Sequence, residues 1–266
     1  MSKTVITLVT HEKYIDVCSN FIELFQHNWQ DCVYDFWILV IGQNNVFNFK
    51  NVICFDEKKT LPSVLHEFMT IHFQYEYCIS FLGDAFITQK INTVEVSCLL
   101  DDIKNYHINY CCLIPRVPYR FKCLSCGKYM RYTTENDVYN ISFVAFIASR
   151  FFIQEEFRNN ISDLEFEKKY LKCDSRNDFI NKCILKKNIF HIMAGIDAGK
   201  WNNHVLRILK KNYSDIKWAE REKTVASKTV FNDFALFFQM FLSKKQRRKM
   251  KMILTKFFDM KFVTKY

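Results

Sequence analysis

The sequence predicts an α/β fold in which helices flank a mostly parallel sheet. Through the first 84 residues, short apolar runs typical of buried strands alternate with segments whose apolar residues recur at helical spacing. Such alternation favours parallel strands joined by right-handed crossovers. The chain has 266 residues, 49% of them hydrophobic, which is enough for one large α/β domain or two small ones.

The first five elements follow from apolar spacing and from residue type. Val5–Val9 is rich in β-branched residues and predicts a strand, and Tyr14–Phe25 carries apolar residues on one helical side. Phe36–Ile41 and Val52–Phe55 are apolar runs of strand length. Pro62–Phe73 is predicted as a helix, because proline is tolerated in a first turn and apolar residues follow on one side.

The next run, Tyr77 to Phe86, reads as a buried strand that ends at Asp84. In open α/β sheets, ligands bind outside the carboxyl ends of the strands, and a carboxylate there can hold a metal ion that carries a diphosphate. The alternative is a surface turn formed by Gly83 and Asp84.

Later elements are predicted by the same criteria. They are a helix at Thr93–Asn105, a strand at Tyr110–Ile114, a loop at Arg116–Asn136, an apolar stretch at Val138–Ala148, a helix at Arg150–Phe157 and a helix start within Asn160–Leu171. The loop is rich in Arg, Lys, Tyr and Cys without a clear period, which is typical of a segment that covers a site.

The positive charge is concentrated at the C-terminal end. Residues 228–266 hold ten Lys or Arg and two Asp, a net +8 of the formal +10, and they alternate basic with Phe-rich segments. We therefore predict two parts, residues 1–212 and a helical extension at 213–266. The extension is interpreted as binding an anionic membrane surface. A docked helix with a solvated basic face is the alternative, and nucleic-acid binding is not expected.

Eleven cysteines without a framework pattern and the lack of a signal-peptide pattern predict a cytoplasmic protein. The longest apolar stretches are shorter than the ~20 residues that cross a bilayer, so no transmembrane helix is predicted. With the basic extension, this favours a peripheral position at the inner face of the membrane.

Several short motifs, taken in order, resemble GT-A-type bacterial glycosyltransferases of capsular polysaccharide and lipopolysaccharide biosynthesis. They are Val5–Tyr14, Asn28-Trp-Gln-Asp-Cys32, the Leu61–Phe73 helix leading to Tyr75–Phe86, Asp163-Leu-Glu-Phe-Glu167 and Gly195–Trp201. The resemblance covers about residues 4–212. It implies a Rossmann-type catalytic domain that moves a sugar from a nucleotide-diphosphate sugar to a hydroxyl of a lipid-linked glycan or polysaccharide. The alternative is a non-catalytic membrane- or polyanion-binding protein on a degenerate transferase scaffold.

The resemblance places Asp84 at the family's metal-binding acidic position, where Mg²⁺ or Mn²⁺ would bridge the donor diphosphate. The chain departs from the family here, since Gly83 and Ala85 stand where a second acid is common. His191 is a further candidate metal ligand, with a core histidine as the alternative.

The remaining site candidates have stated alternatives. Glu165 matches an acid of the family's Trp-Glu-Phe-Glu segment and is the candidate base of an inverting transfer, or else a carboxylate at a helix start. Lys200, after two glycines, is predicted to contact phosphate. Arg116 is predicted either to pair with phosphate or to face solvent. Thr10 and Tyr14 are predicted to contact the nucleotide base or ribose.

Overall fold

The strands of the chain build one large sheet and two small ones. A computed structural model describes residues 3–44, 46–47, 49–116, 118, 124–134, 137, 141–159, 161–162, 165–166, 181–197, 199–224 and 241–258. In the large sheet, the strands are β1 Thr4–His11, β2 Asp35–Ile41, β3 Val52–Phe55, β4 Tyr77–Leu82, β6 Tyr110–Cys112, β7 Ser125–Cys126, β8 Met130–Tyr132, β9 Ala145–Ser149 and β10 Lys182–Leu185. In the small sheets, β5 Ala85–Ile87 pairs with β11 Ile192–Ala194, and β12 Ile196–Asp197 pairs with β13 Lys200–Trp201.

The large sheet has the strand order β3-β2-β1-β4-β9-β6-β10-β8-β7. Strands β3, β2, β1 and β4 are parallel neighbours, and β6 is parallel to β10. Strand β9 lies between β4 and β6 and is antiparallel to both, and β8 is antiparallel to its two neighbours. Because β9 is antiparallel to both β4 and β6, these two strands run in the same direction and have their carboxyl ends at the same edge of the sheet.

Helices cover both faces of this sheet. They are α1 Ile15–Asn28, α2 Leu61–Ile71, α3 Thr93–Asn105, α4 Arg150–Glu156 and α5 Asn203–Asn212, followed by α6 Lys244–Phe258 near the C-terminal end. Helices α1, α3 and α5 pack into one apolar core with one face of the sheet, while α2 and α4 pack against the other face. The predicted fold class, a mostly parallel sheet flanked by helices with a basic helical segment near the end, is confirmed.

Polar side chains before the helices explain where several of them begin. The Asn92 side chain accepts hydrogen bonds from the first turn of α3, and Asn202 does the same for α5. Thr60 and Ser63 form a reciprocal capping box at the start of α2, and this helix carries proline in its first turn. These caps satisfy backbone N–H groups that a helix start leaves without an intrahelical partner.

One region differs from the sequence-based expectation, and a second lies mostly outside the described residues. The predicted loop Arg116–Asn136 contains the β7–β8 hairpin, and its residues 117, 119–123, 135 and 136 lie outside the described part of the chain. The expected helix start at Asn160–Leu171 falls mostly outside it as well.

Residues 213–224 run as an extended segment over the body of the domain rather than as a helix. The Tyr213 hydroxyl is hydrogen-bonded to Asn28, and the Trp201 N–H donates to the Glu222 carbonyl. The predicted boundary at 212 therefore falls just before a segment that packs on residues 1–212. Among the described helices, none has the length and apolar character needed to span a bilayer.

Candidate functional site

A pocket of about 440 Å³ opens at the edge of the sheet where the parallel strands end. It is lined by the ends of β1, β2 and β4, by the start of α2 and by the β12–β13 hairpin. Three of the predicted donor-binding residues, Thr10, Tyr14 and Asp84, line it together. The volume suits a small-molecule ligand, and this edge is where open α/β sheets bind their ligands.

Asp84 occupies the turn that joins β4 to β5. Its backbone carbonyl accepts a hydrogen bond of 2.9 Å from Gly195 N–H, which ties the turn to the segment leading into β12. Close packing favours glycine before it, because a Cβ at Gly83 would lie 3.2 Å from both Thr10 Oγ1 and Cys18 Cβ. Burial raises the pKa of the Asp84 carboxyl to about 6, and a hydrogen bond from its own backbone opposes that rise.

Tyr14 ends a short 3-10 turn between β1 and α1 and is partly exposed at the pocket. The guanidinium of Arg221 lies over its ring, 4.7 Å from the centroid. Thr10 is buried at the end of β1, and its hydroxyl lies 3.4 Å from the backbone carbonyl of His11, which also lines the pocket. The end of β1 thus contributes an aromatic ring, an imidazole and a hydroxyl to one small volume.

The start of α2 adds positive potential to the same pocket. Lys59 and Thr60 both line it, and α2 begins at the next residue. The Lys59 ammonium forms an exposed ion pair with Glu67 at 3.0 Å. A helix N-terminus carries a partial positive charge, so the start of α2 favours a bound anion, while Glu67 offsets much of the Lys59 charge.

Lys200 and His191 lie on either side of this arrangement. Lys200 follows Gly199, which lines the pocket, and its ammonium forms an exposed ion pair with Glu222. His191 lies at the opposite end of the β5–β11 pair from Asp84, where its carbonyl accepts hydrogen bonds from Thr88. Four residue steps along the strand separate the two positions, about 13 Å. The structure therefore does not bring His191 to Asp84 as a shared metal site.

Arg116 lies beyond the carboxyl end of β6, at the same edge of the sheet as the pocket. Strand β6 is two places from β4, about 10 Å away at ordinary strand spacing. The Arg116 carbonyl accepts a hydrogen bond from the buried Arg131. Burial raises the pKa of the Cys112 thiol, and the charge of the Arg116 side chain and a hydrogen bond with it oppose that rise. Arg116 is not among the residues that line the pocket.

Glu165 forms a capping box with Ser162 at a helix start. Its carboxylate accepts hydrogen bonds from the Ser162 backbone N–H at 3.1 Å and hydroxyl at 2.8 Å, and the Ser162 hydroxyl accepts one from Glu165 N–H. The next residue, Phe166, is buried and packs against Phe143, which precedes β9. This places Glu165 near the start of β9, where Val144 accepts a backbone hydrogen bond from Leu82 at the end of β4.

Two residues that line the pocket, His11 and Lys59, and the adjoining Arg221 were not among the candidates predicted from the sequence. His11 and Lys59 directly follow or precede elements that were predicted, so listing every polar residue at strand ends and helix starts would have found them. Arg221 carries no such local signal. Its contacts with Tyr14 and Asp16 join residues about 200 positions apart in the sequence.

The donor groups for a metal ion are few. Asp84 is the single carboxylate among the residues that line the pocket. Among the described residues, no group of three His, Cys, Asp or Glu side chains has an arrangement that could hold a metal ion. The residues that line the pocket do not fit a metal ion held by several protein side chains.

No family model and no curated protein matches the chain. Among solved structures, it is similar to a Desulfovibrio desulfuricans G20 protein proposed to be a nucleotide-diphospho-sugar transferase, with 12% identity, 42% of this chain and 58% of that chain covered, and a TM-score of 0.31. It is also similar to TarS of S. aureus, with 8% identity, coverage of 69% and 36%, and a TM-score of 0.42.

A third similar structure is a CMP:2-keto-3-deoxy-manno-octonic acid synthetase, with 11% identity, coverage of 69% and 88%, and a TM-score of 0.40. The chain spans little more than half of the Desulfovibrio chain and about a third of TarS. At these identities and TM-scores, the matches carry no information on the reaction of this chain.

Proposed function

We propose that this protein is a glycosyltransferase that binds a nucleotide-diphosphate sugar in the pocket at the ends of β1, β2 and β4. The observation that supports this most directly is the joint lining of that pocket by Thr10, Tyr14 and Asp84. The motif order of the sequence, which resembles GT-A-type enzymes, independently favours the same function.

The chemistry of the pocket suits the parts of such a donor. The Tyr14 ring offers an aromatic surface for a base, and base stacking on aromatic side chains contributes about 1–3 kcal/mol. Lys59 and the start of α2 provide positive potential for phosphates. Asp84 would accept hydrogen bonds from sugar or ribose hydroxyls. Lys200 is proposed to approach the phosphates from the rim.

The proposed acceptor is a hydroxyl of a lipid-linked glycan, and Glu165 is the proposed base that takes its proton. Helix α6 supports a position at the membrane, because its described cations Lys245, Arg248 and Lys249 and its apolar Met250 and Ile253 are all exposed. A helix with both basic and apolar exposed residues suits the surface of an anionic bilayer.

A thermal-shift screen of UDP, GDP, CDP, ADP, dTDP, their sugar conjugates and the matching nucleoside triphosphates tests the donor site, with Mn²⁺ or with a chelator. We expect at least one nucleoside diphosphate to raise the melting temperature, because a ligand that binds only the folded state stabilises it. Asp84→Asn should weaken that stabilisation, whereas the exposed Asp101→Asn should leave it unchanged. Stabilisation by nucleoside triphosphates alone would argue against sugar transfer, and no stabilisation at all would favour a non-catalytic scaffold.

A further inference from the structure

Arg221 links the segment after α5 to the mouth of the pocket through several contacts at once. Its Nε donates a hydrogen bond of 2.8 Å to Asp16 Oδ2, and Nη2 donates both to the other carboxylate oxygen and to the Lys13 carbonyl. Its Nη1 lies 3.4 Å from the Gly199 carbonyl. The pocket-lining residues Tyr14 and Gly199 are therefore bridged by one side chain.

The stacking contact fixes the ring as well as the backbone. The Arg221 guanidinium lies over the Tyr14 ring, and such a cation–π contact strengthens as water is excluded from it. The Arg221 side chain is only 17% exposed, so water competes weakly for these contacts. Bidentate pairing with Asp16 prevents the planar guanidinium from rotating away from the ring.

We propose that Arg221 is a positioning residue for donor binding: it holds the Tyr14 ring and the Gly199 loop so that the ring face turned from Arg221 is presented to the nucleobase. This inference rests on the proposed function. The loss of Arg221 frees a tyrosine at the pocket mouth and a glycine in the hairpin. Ordering both again on binding costs conformational entropy that the wild-type chain does not lose.

The test measures the dissociation constants of the nucleoside diphosphates used above, with melting temperatures as the stability control. We expect Arg221→Ala to raise the dissociation constant about tenfold, the scale of one lost stacking contact. Lys187→Ala is the matched control, because Lys187 also pairs with an acid, Glu95, and lies over a ring, that of Tyr129, outside the pocket. Arg221→Lys should recover part of the affinity, since lysine keeps the positive charge but lacks the planar guanidinium that pairs with both oxygens of a carboxylate.

Where transfer is measurable, the donor KM should rise in Arg221→Ala while kcat stays close to wild type, because uniform binding is what is removed. Equal dissociation constants in Arg221→Ala and Lys187→Ala would overturn the inference. If Arg221→Ala does not fold, Asp16→Asn decides in its place, and an affinity equal to that of Lys187→Ala would be equally contrary. A wild-type chain that binds none of the probes refutes the proposed function instead, so the two failures are distinct.

Discussion

At the scale of single residues, the buried Asp84 carboxyl lowers the free energy of unfolding when it is charged. Its pKa of about 6 lies above the ordinary value of 3.8, because burial disfavours the charged form. The folded chain therefore keeps a proton that the unfolded chain releases between about pH 4 and pH 6. Over that interval, rising pH lowers the free energy of unfolding, and above it the full cost of the charge remains.

Asp84→Asn should consequently stabilise the protein at neutral pH while it weakens donor binding. The pKa difference corresponds to about 1–3 kcal/mol, and the gain should shrink as the pH falls to about 4. Urea unfolding at several pH values measures it, with Asp101→Asn as the exposed control. A variant that is less stable than wild type at neutral pH would mean that the Asp84 charge is held by favourable contacts.

Glu165 can be separated into its two roles by one pair of variants. Glutamine at this position keeps the capping box with Ser162 but cannot take a proton, whereas alanine loses both functions. If Glu165 is the base, Glu165→Gln should retain the wild-type melting temperature and lose transfer activity by about 10²–10⁴-fold. Glu165→Ala should also lose about 1 kcal/mol of stability.

Ser162→Ala is the complementary control, because it weakens the same cap and leaves the carboxylate in place. Activity close to wild type in Glu165→Gln would assign the residue to capping alone, and the base would have to be found elsewhere.

The residues of the site divide by how local their determinants are. Thr10, Tyr14 and Asp84 could be predicted because each follows a strand whose apolar pattern is readable, and parallel strands end at one edge. Arg221 could not, because its partners Asp16 and Gly199 are brought to it only by tertiary packing. The second role of Glu165, as a cap, agrees with the alternative that its place at a helix start had already indicated.

At the scale of elements, α6 is the helix whose binding partner depends most on its exposed side chains. Among the described residues, Arg247 reaches the Asp137 carbonyl at 3.5 Å, while Met250, Met252 and Ile253 are exposed. Both a membrane-bound and a docked state are compatible with a basic amphipathic helix in the sequence. The distinction depends on whether these exposed groups meet lipid.

Vesicle flotation tests this with full-length protein and variants of described residues. We expect the wild-type protein to float with vesicles that contain phosphatidylglycerol and much less with phosphatidylcholine alone. Arg248→Gln with Lys249→Gln should reduce binding several-fold, since each cation near an anionic surface contributes about 1 kcal/mol. Met250→Ser with Ile253→Ser should also reduce it.

The matched control is Phe73→Ser, which removes another exposed apolar side chain. Phe73 follows α2 and is 81% exposed. Its flotation should equal that of wild type. Unchanged flotation in both α6 double variants, or equal flotation with the two vesicle types, would contradict membrane binding through α6 and favour a docked helix.

Sequence patterns predicted elements that carry an apolar run of four or more residues, and they missed the two- and three-residue strands of a polar segment. The helix at Thr93–Asn105 and the strand at Val52–Phe55 match the sequence-based ranges. The β7–β8 hairpin was missed because two or three residues provide no measurable period. The reversed direction of β9 was not predictable either, because an apolar run has no polarity in its pattern.

At the scale of the whole molecule, a late segment of the chain returns to pack against elements that come early in the sequence. Residues 213–224 lie against α1 and the β12–β13 hairpin through Tyr213, Glu222 and Arg221. The count of charged residues predicted a separate extension because it distinguishes basic from neutral segments. Such a count carries no information on which segments pack together. Residues 228–240, which hold much of the aromatic part of the predicted extension, lie outside the described residues.

This return has a consequence for the order in which the protein matures. The ribosome delivers β1, α1 and Asp84 early, but Ile196, Gly199 and Arg221 emerge only after most of the domain has been made. A nascent chain that has released its first hundred residues can already form parallel strands, yet it has no finished pocket. Because the pocket is lined by residues from both ends of the domain, ligand binding is expected to begin only when synthesis has passed Gly199.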